Sequence, residues 1–201
     1  ISMSAKSHSK FVVSLLRETH FSRDEVETLL IIYNQLIGKS DSDKLNPNKF
    51  KEVLHSTFTM TDDLMMERIY QGFATHGETA ITSADFVCGM SIFLKGTLEE
   101  HTQFCFKVYD LNGDGYISKE EMYHLLKNSL VKHAPDEDAE EGVKDLIELV
   151  CKKLDMDHDG RISYDDFSKS VAKDPLVLQI LGQCLPSIEL REIFLSTFSV
   201  K

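Results

Sequence analysis

Two twelve-residue segments of this chain share a pattern that strongly limits its fold. They are DLNGDGYISKEE (110–121) and DMDHDGRISYDD (155–166), and they agree at positions 1, 5, 6, 8 and 9. An apolar segment of helical character precedes each of them, and another follows. Such repeats predict helix–loop–helix units, which bury their apolar faces by packing against one another.

The same spacing recurs twice earlier in the chain. Loops of equal length begin 36 and 72 residues before Asp110, at 74–85 and 38–49. Each keeps an aliphatic residue at position 8, Ile81 or Leu45, and a phenylalanine directly after position 12. We therefore expect four helix–loop–helix units.

The third loop, 110–121, predicts a calcium site. A loop of this length surrounds Ca²⁺ with oxygens from positions 1, 3, 5, 7, 9 and 12, and a glycine at position 6 permits the sharp turn. Glu121, at position 12, would supply two oxygens. The predicted ligands are Asp110, Asn112, Asp114, the Tyr116 carbonyl, Ser118 through a water molecule, and Glu121.

The fourth loop, 155–166, predicts a second cation site with one departure. Its ligand set is Asp155, Asp157, Asp159, the Arg161 carbonyl, Ser163 and Asp166. Asp166 is one methylene shorter than Glu, so it must draw the following helix inward or supply a single oxygen. A single oxygen resembles the six-fold shell of Mg²⁺. We expect Ca²⁺ binding with Mg²⁺ as a competitor, and a loop that holds no ion is the alternative.

The first two loops lack the chemistry of a calcium site. The first ends in Lys49, which would place an ammonium where a carboxylate is needed. The second has Ala74, His76 and Glu78 at ligand positions and Thr79 in place of the glycine. We expect neither loop to bind Ca²⁺.

Helix signals along the chain favour an all-α fold. Three pairs read as capping boxes, and Asn46-Pro47 predicts a helix start. These pairs are Ser22 with Glu25, Thr97 with Glu100, and Ser118 with Glu121.

The predicted fold has four helix–loop–helix units in two lobes, short β pairings between loops at position 8, and extra N-terminal and C-terminal helices. The predicted parts are an N-terminal segment (1–20), an N-lobe (21–96), a C-lobe (97–174) and a tail (175–201) with helices near 176–184 and 187–198.

Composition and motifs exclude several classes of function. The formal charge of −11 argues against a nucleic-acid binder, because such proteins cluster Lys and Arg. The longest uncharged run, 175–188, is too short to span a bilayer, and Ser4 follows Met3 where N-myristoylation requires Gly, so we expect no membrane anchor. Four dispersed cysteines without a Cys-x-x-Cys pair indicate reduced thiols. No catalytic motif is found, and we expect a protein that is not an enzyme.

The loops and their flanking helices identify the chain as a member of the EF-hand family. Its plan resembles the neuronal calcium sensor and calcineurin B group, and it more closely resembles the EF-hand sensors of ciliary and flagellar outer-arm dynein. The resemblance runs from about Lys10 and is carried by FTMTDDLMMERIYQGF, MSIFLKGTLEE and VYDLNGDGYISKEEMYHLLKNSL. It implies a cytoplasmic, axonemal protein that binds a dynein heavy chain on axonemal microtubules when Ca²⁺ rises.

Several functions fit the residues. A Ca²⁺ sensor would expose an apolar groove to a partner helix, and the tail, with Ile188, Ile193, Phe194 and Phe198, would pack in or beside a groove. Adaptable methionine-rich surface would suit such a groove, although methionines in helices are also ordinary core residues. A Ca²⁺ buffer and a constitutive calcineurin B-like subunit are the alternatives. An EF-hand photoprotein is disfavoured because the chain has no Trp. We expect a monomer.

Overall fold

A computed structural model describes residues 5–38, 44–74, 80–130 and 136–199, without the side chains of 5, 128–139 and 199. It has the predicted all-α fold. The helices are α1 (Ala5–Glu18), α2 (Arg23–Ile37), α3 (Pro47–Phe58), α4 (Asp63–Phe73), α5 (Ser83–Lys95), α6 (Leu98–Tyr109), α7 (Lys119–Leu130), α8 (Asp136–Leu154), α9 (Tyr164–Lys173) and α10 (Ile188–Ser196). Two short strands, β1 (Tyr116–Ile117) and β2 (Ile162–Ser163), form an antiparallel pair. In the described ranges no helix is both long and apolar enough to cross a bilayer.

Helix starts follow the capping signals. The Ser22–Glu25 and Thr97–Glu100 boxes both form, and Asn46 caps α3 with Pro47 at its first position. The structure adds two boxes in which Asp replaces Glu, Thr82 with Asp85 and Ser163 with Asp166. A side chain that accepts from the first free N–H groups stabilises a helix by about 0.5–2 kcal/mol.

The chain divides into two compact units that are not contiguous halves. The first comprises Ile1–Thr59, Tyr70–Gly96 and Pro186–Lys201, and the second comprises Met60–Ile69 and Thr97–Leu185. The predicted parts placed 60–69 with the N-lobe and treated 175–201 as one segment. The structure assigns 60–69 to the second unit and divides the tail at Pro186.

The first unit is built on a cluster of phenylalanine rings. Phe73 lies 4.8 Å from Phe50 and 5.5 Å from Phe93 between ring centroids, and Phe58 lies 5.4 Å from Phe93. All four rings are buried. Edge-to-face pairs of this kind add about 0.5–1.5 kcal/mol each beyond their buried area. Helix α1 adds buried Val12 and Leu15 to this unit.

The C-terminal helix α10 packs within this unit, where its Phe194 contacts Phe58 of α3. Phe194 lies 5.5 Å from Phe58 between ring centroids, while Ile188 and Ile193 stay 67% and 55% exposed. The predicted helix near 187–198 is therefore present as α10, followed by a 3₁₀ turn. The predicted contact of the tail with an apolar surface holds for Phe194 but not for the two isoleucines.

The predicted helix near 176–184 is wrong. The chain forms only a 3₁₀ turn, Pro175–Gln179, and then bends at Gly182 with a φ of 135°. The Gln179 side-chain oxygen accepts the Cys184 and Leu185 N–H groups at 3.1 and 2.9 Å, which replaces the backbone acceptors of a helix. This side-chain acceptor could not be foreseen from apolar periodicity.

The methionines are mostly core residues. Met60, Met65, Met66, Met90 and Met122 are buried, whereas Met156 is partly exposed. In this structure the methionines named here therefore do not form the exposed, adaptable surface considered above.

The packing of Gly89 in α5 against Phe73 gives a stability prediction. An added Cβ would lie 2.3 Å from the Phe73 ring, which its aromatic neighbours hold in place. We expect Gly89→Ala to lower the free energy of unfolding by about 1–3 kcal/mol. Gly142→Ala in α8 is the matched control, since nothing lies near its added Cβ, and helix propensity should make it stabilising by up to about 1 kcal/mol. Urea unfolding measures both, and equal effects would contradict the packing argument.

Candidate metal centre

The third loop is wrapped around its first acidic residue. Asp110 follows the last residue of α6, and its Oδ1 accepts the N–H groups of Gly113 and Asp114 at 2.7 and 3.2 Å. Its Oδ2 accepts the N–H of Gly115 at 2.9 Å. Asp110 is buried, and these bonds orient its carboxylate toward the loop interior.

Glu121 joins the two ends of this loop. Its Oε1 accepts the N–H groups of Leu111 and Asn112 at 2.8 and 3.1 Å. Its Oε2 accepts the N–H and the hydroxyl of Ser118 at 2.7 and 2.8 Å. Both carboxylate oxygens thus face the loop, as a bidentate position-12 ligand requires, and the predicted Ser118–Glu121 capping box is present.

The fourth loop gathers three carboxylates. One oxygen each from Asp155, Asp157 and Asp159 lies within 4.8 Å of the others. Asp155 repeats the role of Asp110, with Oδ1 accepting from Asp159 N–H at 3.2 Å and Oδ2 from Gly160 N–H at 3.0 Å. Like charges at this separation repel one another, and a hard divalent cation offsets that repulsion. The donor set therefore fits Ca²⁺ or Mg²⁺.

Asp166 is hydrogen-bonded to fewer parts of its loop than Glu121 is. Its described hydrogen bonds are all with Ser163: Oδ2 accepts the Ser163 N–H at 3.1 Å and hydroxyl at 2.6 Å, and the Asp166 N–H donates to Ser163 Oγ. It caps α9, but it does not reach back to the start of the loop as Glu121 does. The missing methylene accounts for this difference.

The two loops also differ at position 4. Gly113 has a φ of 75° and the equivalent His158 has a φ of 61°. A side chain in this left-handed region costs about 1–2 kcal/mol, which glycine avoids. His158 is exposed and lies at a position that is not a ligand. The fourth loop therefore carries backbone strain that the third does not.

The two loops are connected through their central residues. Tyr116 pairs with Ser163 and Ile117 with Ile162 in the β1–β2 ladder, and both isoleucines are buried. The Arg161 guanidinium lies over the Tyr116 ring, 4.0 Å from its centroid, and also donates to Asp159 Oδ2 at 3.3 Å. The predicted pairing at position 8 is confirmed, so a change in one loop reaches the other directly.

Comparison with known proteins agrees with this geometry. A family model described as an EF-hand domain pair matches residues 99–172. The chain is 50% identical to calaxin of Xenopus laevis over 83% of this chain and 82% of that protein. It is 44% and 42% identical to the calaxins of Bos taurus and Homo sapiens, over 92% of this chain and 90% of each relative. This chain belongs to the calaxin family. It is a calcium-binding regulatory protein with an EF-hand fold.

The first two loops of this calaxin-family chain keep the pairing of an EF-hand unit. Leu45 and Ile81 form an antiparallel bridge, with N–H to carbonyl distances of 3.0 and 3.3 Å. The Tyr33 hydroxyl donates to the Ile81 carbonyl at 2.9 Å, and the Tyr70 hydroxyl donates to the Leu45 carbonyl at 3.0 Å. These buried bonds stabilise the bridge without a metal ligand.

Lys49 has a structural role in the first loop. Its ammonium donates to the carbonyls of Leu36 and Ile37 at 2.9 and 3.2 Å, at the C-terminus of α2. A cation there compensates the partial negative charge of the helix end. The predicted absence of Ca²⁺ in the first two loops stays a prediction, since residues 39–43 and 75–79, with His76, Glu78 and Thr79, lie outside the described residues.

Arg68 supports the third loop, and sequence reasoning missed it. It lies in α4, far from the loop in sequence, and its guanidinium donates to four backbone carbonyls at 2.6–3.2 Å. These belong to Lys107, Val108, Asp110 and Leu111. Burial lowers the pKa of Arg68, and the carboxylates of Asp110 and Glu121 oppose that shift. Arg68 therefore fixes the path by which α6 enters the loop.

Site-directed variants test the unequal roles of Glu121 and Asp166. We expect Asp166→Glu to raise the Ca²⁺ affinity of the fourth loop about tenfold and to reduce competition by Mg²⁺, because the longer acid can supply two oxygens. Glu121→Gln should abolish Ca²⁺ binding at the third loop. Calorimetric titration measures both, and the exposed neighbours Asp165→Asn and Glu120→Gln are matched controls. An Asp166→Glu titration that matches wild type would contradict this account.

The guanidinium of Arg68 should matter for stability. Hydrogen bonds to charged groups contribute about 1.5–3 kcal/mol each when buried, and partial exposure lowers this. We expect Arg68→Gln to destabilise the calcium-free protein by about 1–3 kcal/mol, and Arg68→Lys to recover less than half, since one ammonium cannot replace a planar fork. Urea unfolding is the measurement, with Arg23→Gln, an exposed ion-pair residue, as control. If Arg68→Lys has the stability of the wild type, the positive charge alone, and not the planar guanidinium, stabilises the loop.

Proposed function

We propose that this chain is a two-site Ca²⁺ sensor whose target is a partner protein. The proposed ligands are those predicted at 110–121 and 155–166, with Mg²⁺ as a competitor at the fourth loop. The supporting observation is that the position-12 acids, Glu121 and Asp166, also cap the N-termini of α7 and α9. When bound, the cation supplies the positive charge on which the loop carboxylates converge.

The capping role gives the proposal its physical basis. Because Glu121 and Asp166 lie in the first turns of α7 and α9, any shift of their carboxylates moves the starts of these helices. The β1–β2 ladder couples the two loops, so both helices respond together. Helix reorientation of this kind exposes apolar surface in EF-hand sensors.

The second unit already presents an apolar groove that such a movement could widen. A cavity of about 450 Å³ lies between α6 and α9, and Leu98, Thr102, Tyr164 and Val171 contribute to its lining. Leu98 and Tyr164 are 43% and 37% exposed. A groove lined by partly exposed apolar side chains suits the apolar face of a partner helix.

A buffer would not require the rest of this structure. The first two loops retain their bridge, and Lys49 and two tyrosine hydroxyls support them without a carboxylate at position 12 of the first loop. A folded unit that is predicted to bind no calcium is of use to a protein that binds partners.

By resemblance to the EF-hand sensors of outer-arm dynein, we propose a dynein heavy chain on axonemal microtubules as the target. The protein would then act in the cytoplasm of a cilium or flagellum, as a monomer and without enzymatic activity. The acidic charge of the chain favours a basic surface on the partner.

A Ca²⁺ titration that follows both apolar-dye fluorescence and binding to a dynein heavy-chain fragment tests this function. We expect dye binding and partner affinity to change together as both loops fill, and the Glu121→Gln, Asp166→Ala double variant to show neither change. Ca²⁺ uptake with constant dye signal and no partner binding would indicate a buffer. Equal partner binding in chelator would indicate a constitutive subunit.

A further inference from the structure

Two of the four cysteines, distant in sequence, meet in the core of the second unit. Cys105 lies in the second half of α6 and Cys184 follows the bend at Gly182. Their Sγ atoms are 2.8 Å apart, both residues are free thiols, and both are fully buried. The sulfur atoms of a disulfide are about 2.05 Å apart, so they need to approach by less than about 1 Å to bond.

Both side chains are held in this position by specific contacts. The Tyr109 hydroxyl, one turn after Cys105, donates to the Gly182 carbonyl at 2.7 Å, which holds the bend against α6. The Cys184 thiol also lies 3.3 Å from that hydroxyl, and the Cys184 N–H donates to Gln179 Oε1 at 3.1 Å. The segment around Cys184 is therefore fixed by hydrogen bonds on both sides of the sulfur.

We propose that Cys105 and Cys184 form a reversible redox pair, which closes to an intramolecular disulfide when the protein meets a low-molecular-weight disulfide such as oxidised glutathione. The Cys184 thiolate attacks one sulfur of glutathione disulfide, and one glutathione thiolate leaves. The Cys105 thiolate then attacks Cys184 Sγ, and the second glutathione thiolate leaves. The two protons lost by the protein thiols protonate the two glutathione thiolates, so two protein thiols are oxidised and one glutathione disulfide is reduced.

Because both thiols are buried, the disulfide forms slowly. Once formed, it is stable. Desolvation raises the pKa of Cys105 well above its ordinary value, so little thiolate exists in the closed structure. Cys184 is also fully buried, so glutathione disulfide reaches its sulfur only after local opening of the segment that carries it, which lies outside any regular helix. Once formed, the bond needs little rearrangement and closes a covalent ring, residues 105–184, that contains both calcium loops.

Equilibration of the full chain in glutathione redox buffers tests this pair. Reduced and oxidised protein are each incubated in these buffers, with and without urea, until both give the same ratio of thiol to disulfide. The disulfides are then mapped by alkylation and peptide mass spectrometry. We expect the equilibrium constant for the Cys105–Cys184 disulfide to be at least about tenfold larger in the folded chain than in urea. A constant equal to or below that in urea, or a folded chain in which either residue pairs elsewhere, would overturn the proposal.

Variants separate this pair from the other two cysteines. Cys88→Ser and Cys151→Ser should form the same disulfide with an unchanged equilibrium constant, and Cys184→Ser should leave Cys105 fully alkylated. If Cys151→Ser fails to fold because Cys151 is buried, Cys88→Ser and the peptide map of wild type still decide the question. The Ca²⁺-sensor function does not enter this test, so either idea can fail without the other.

Discussion

The residue at position 12 of each proposed ion-binding loop has two roles, and the loops and helices of the second unit depend on both. In 110–121 and 155–166 it is the proposed last ligand of a cation and also the residue that caps the next helix. A change in the position of this carboxylate therefore also changes the orientation of the helix that it caps. Asp85, at position 12 of the second loop, caps α5 in the same way, so an acid at this position does not by itself indicate a metal site.

The protein uses its own cations where backbone carbonyls converge. Arg68 binds the carbonyls at the end of α6, and Lys49 binds those at the end of α2. Each brings positive charge to a helix C-terminus that leads into a loop.

Spacing and local chemistry predicted the features that depend on neighbours in sequence. The repeat of 36 residues located the loops, the apolar residue at position 8 predicted both pairings, and capping pairs gave helix starts. Contacts between distant segments were not predictable. Arg68 is an ordinary helical arginine in sequence, and Cys105 and Cys184 carry no motif. The helix expected at 176–184 was lost because one glutamine side chain replaces its backbone acceptors.

Because Lys49 lies at the end of the first loop, the positive charge in that loop does not depend on the ion concentration. At position 12 of 110–121 and 155–166 the carboxylate caps its helix with or without a cation, but its negative charge is offset only by a cation taken from the solution. An ammonium carried by the chain is present at every ion concentration and loses no translational entropy on binding. The chain therefore has one EF-hand pair whose proposed cations come from the solution and another whose first loop carries its own positive charge.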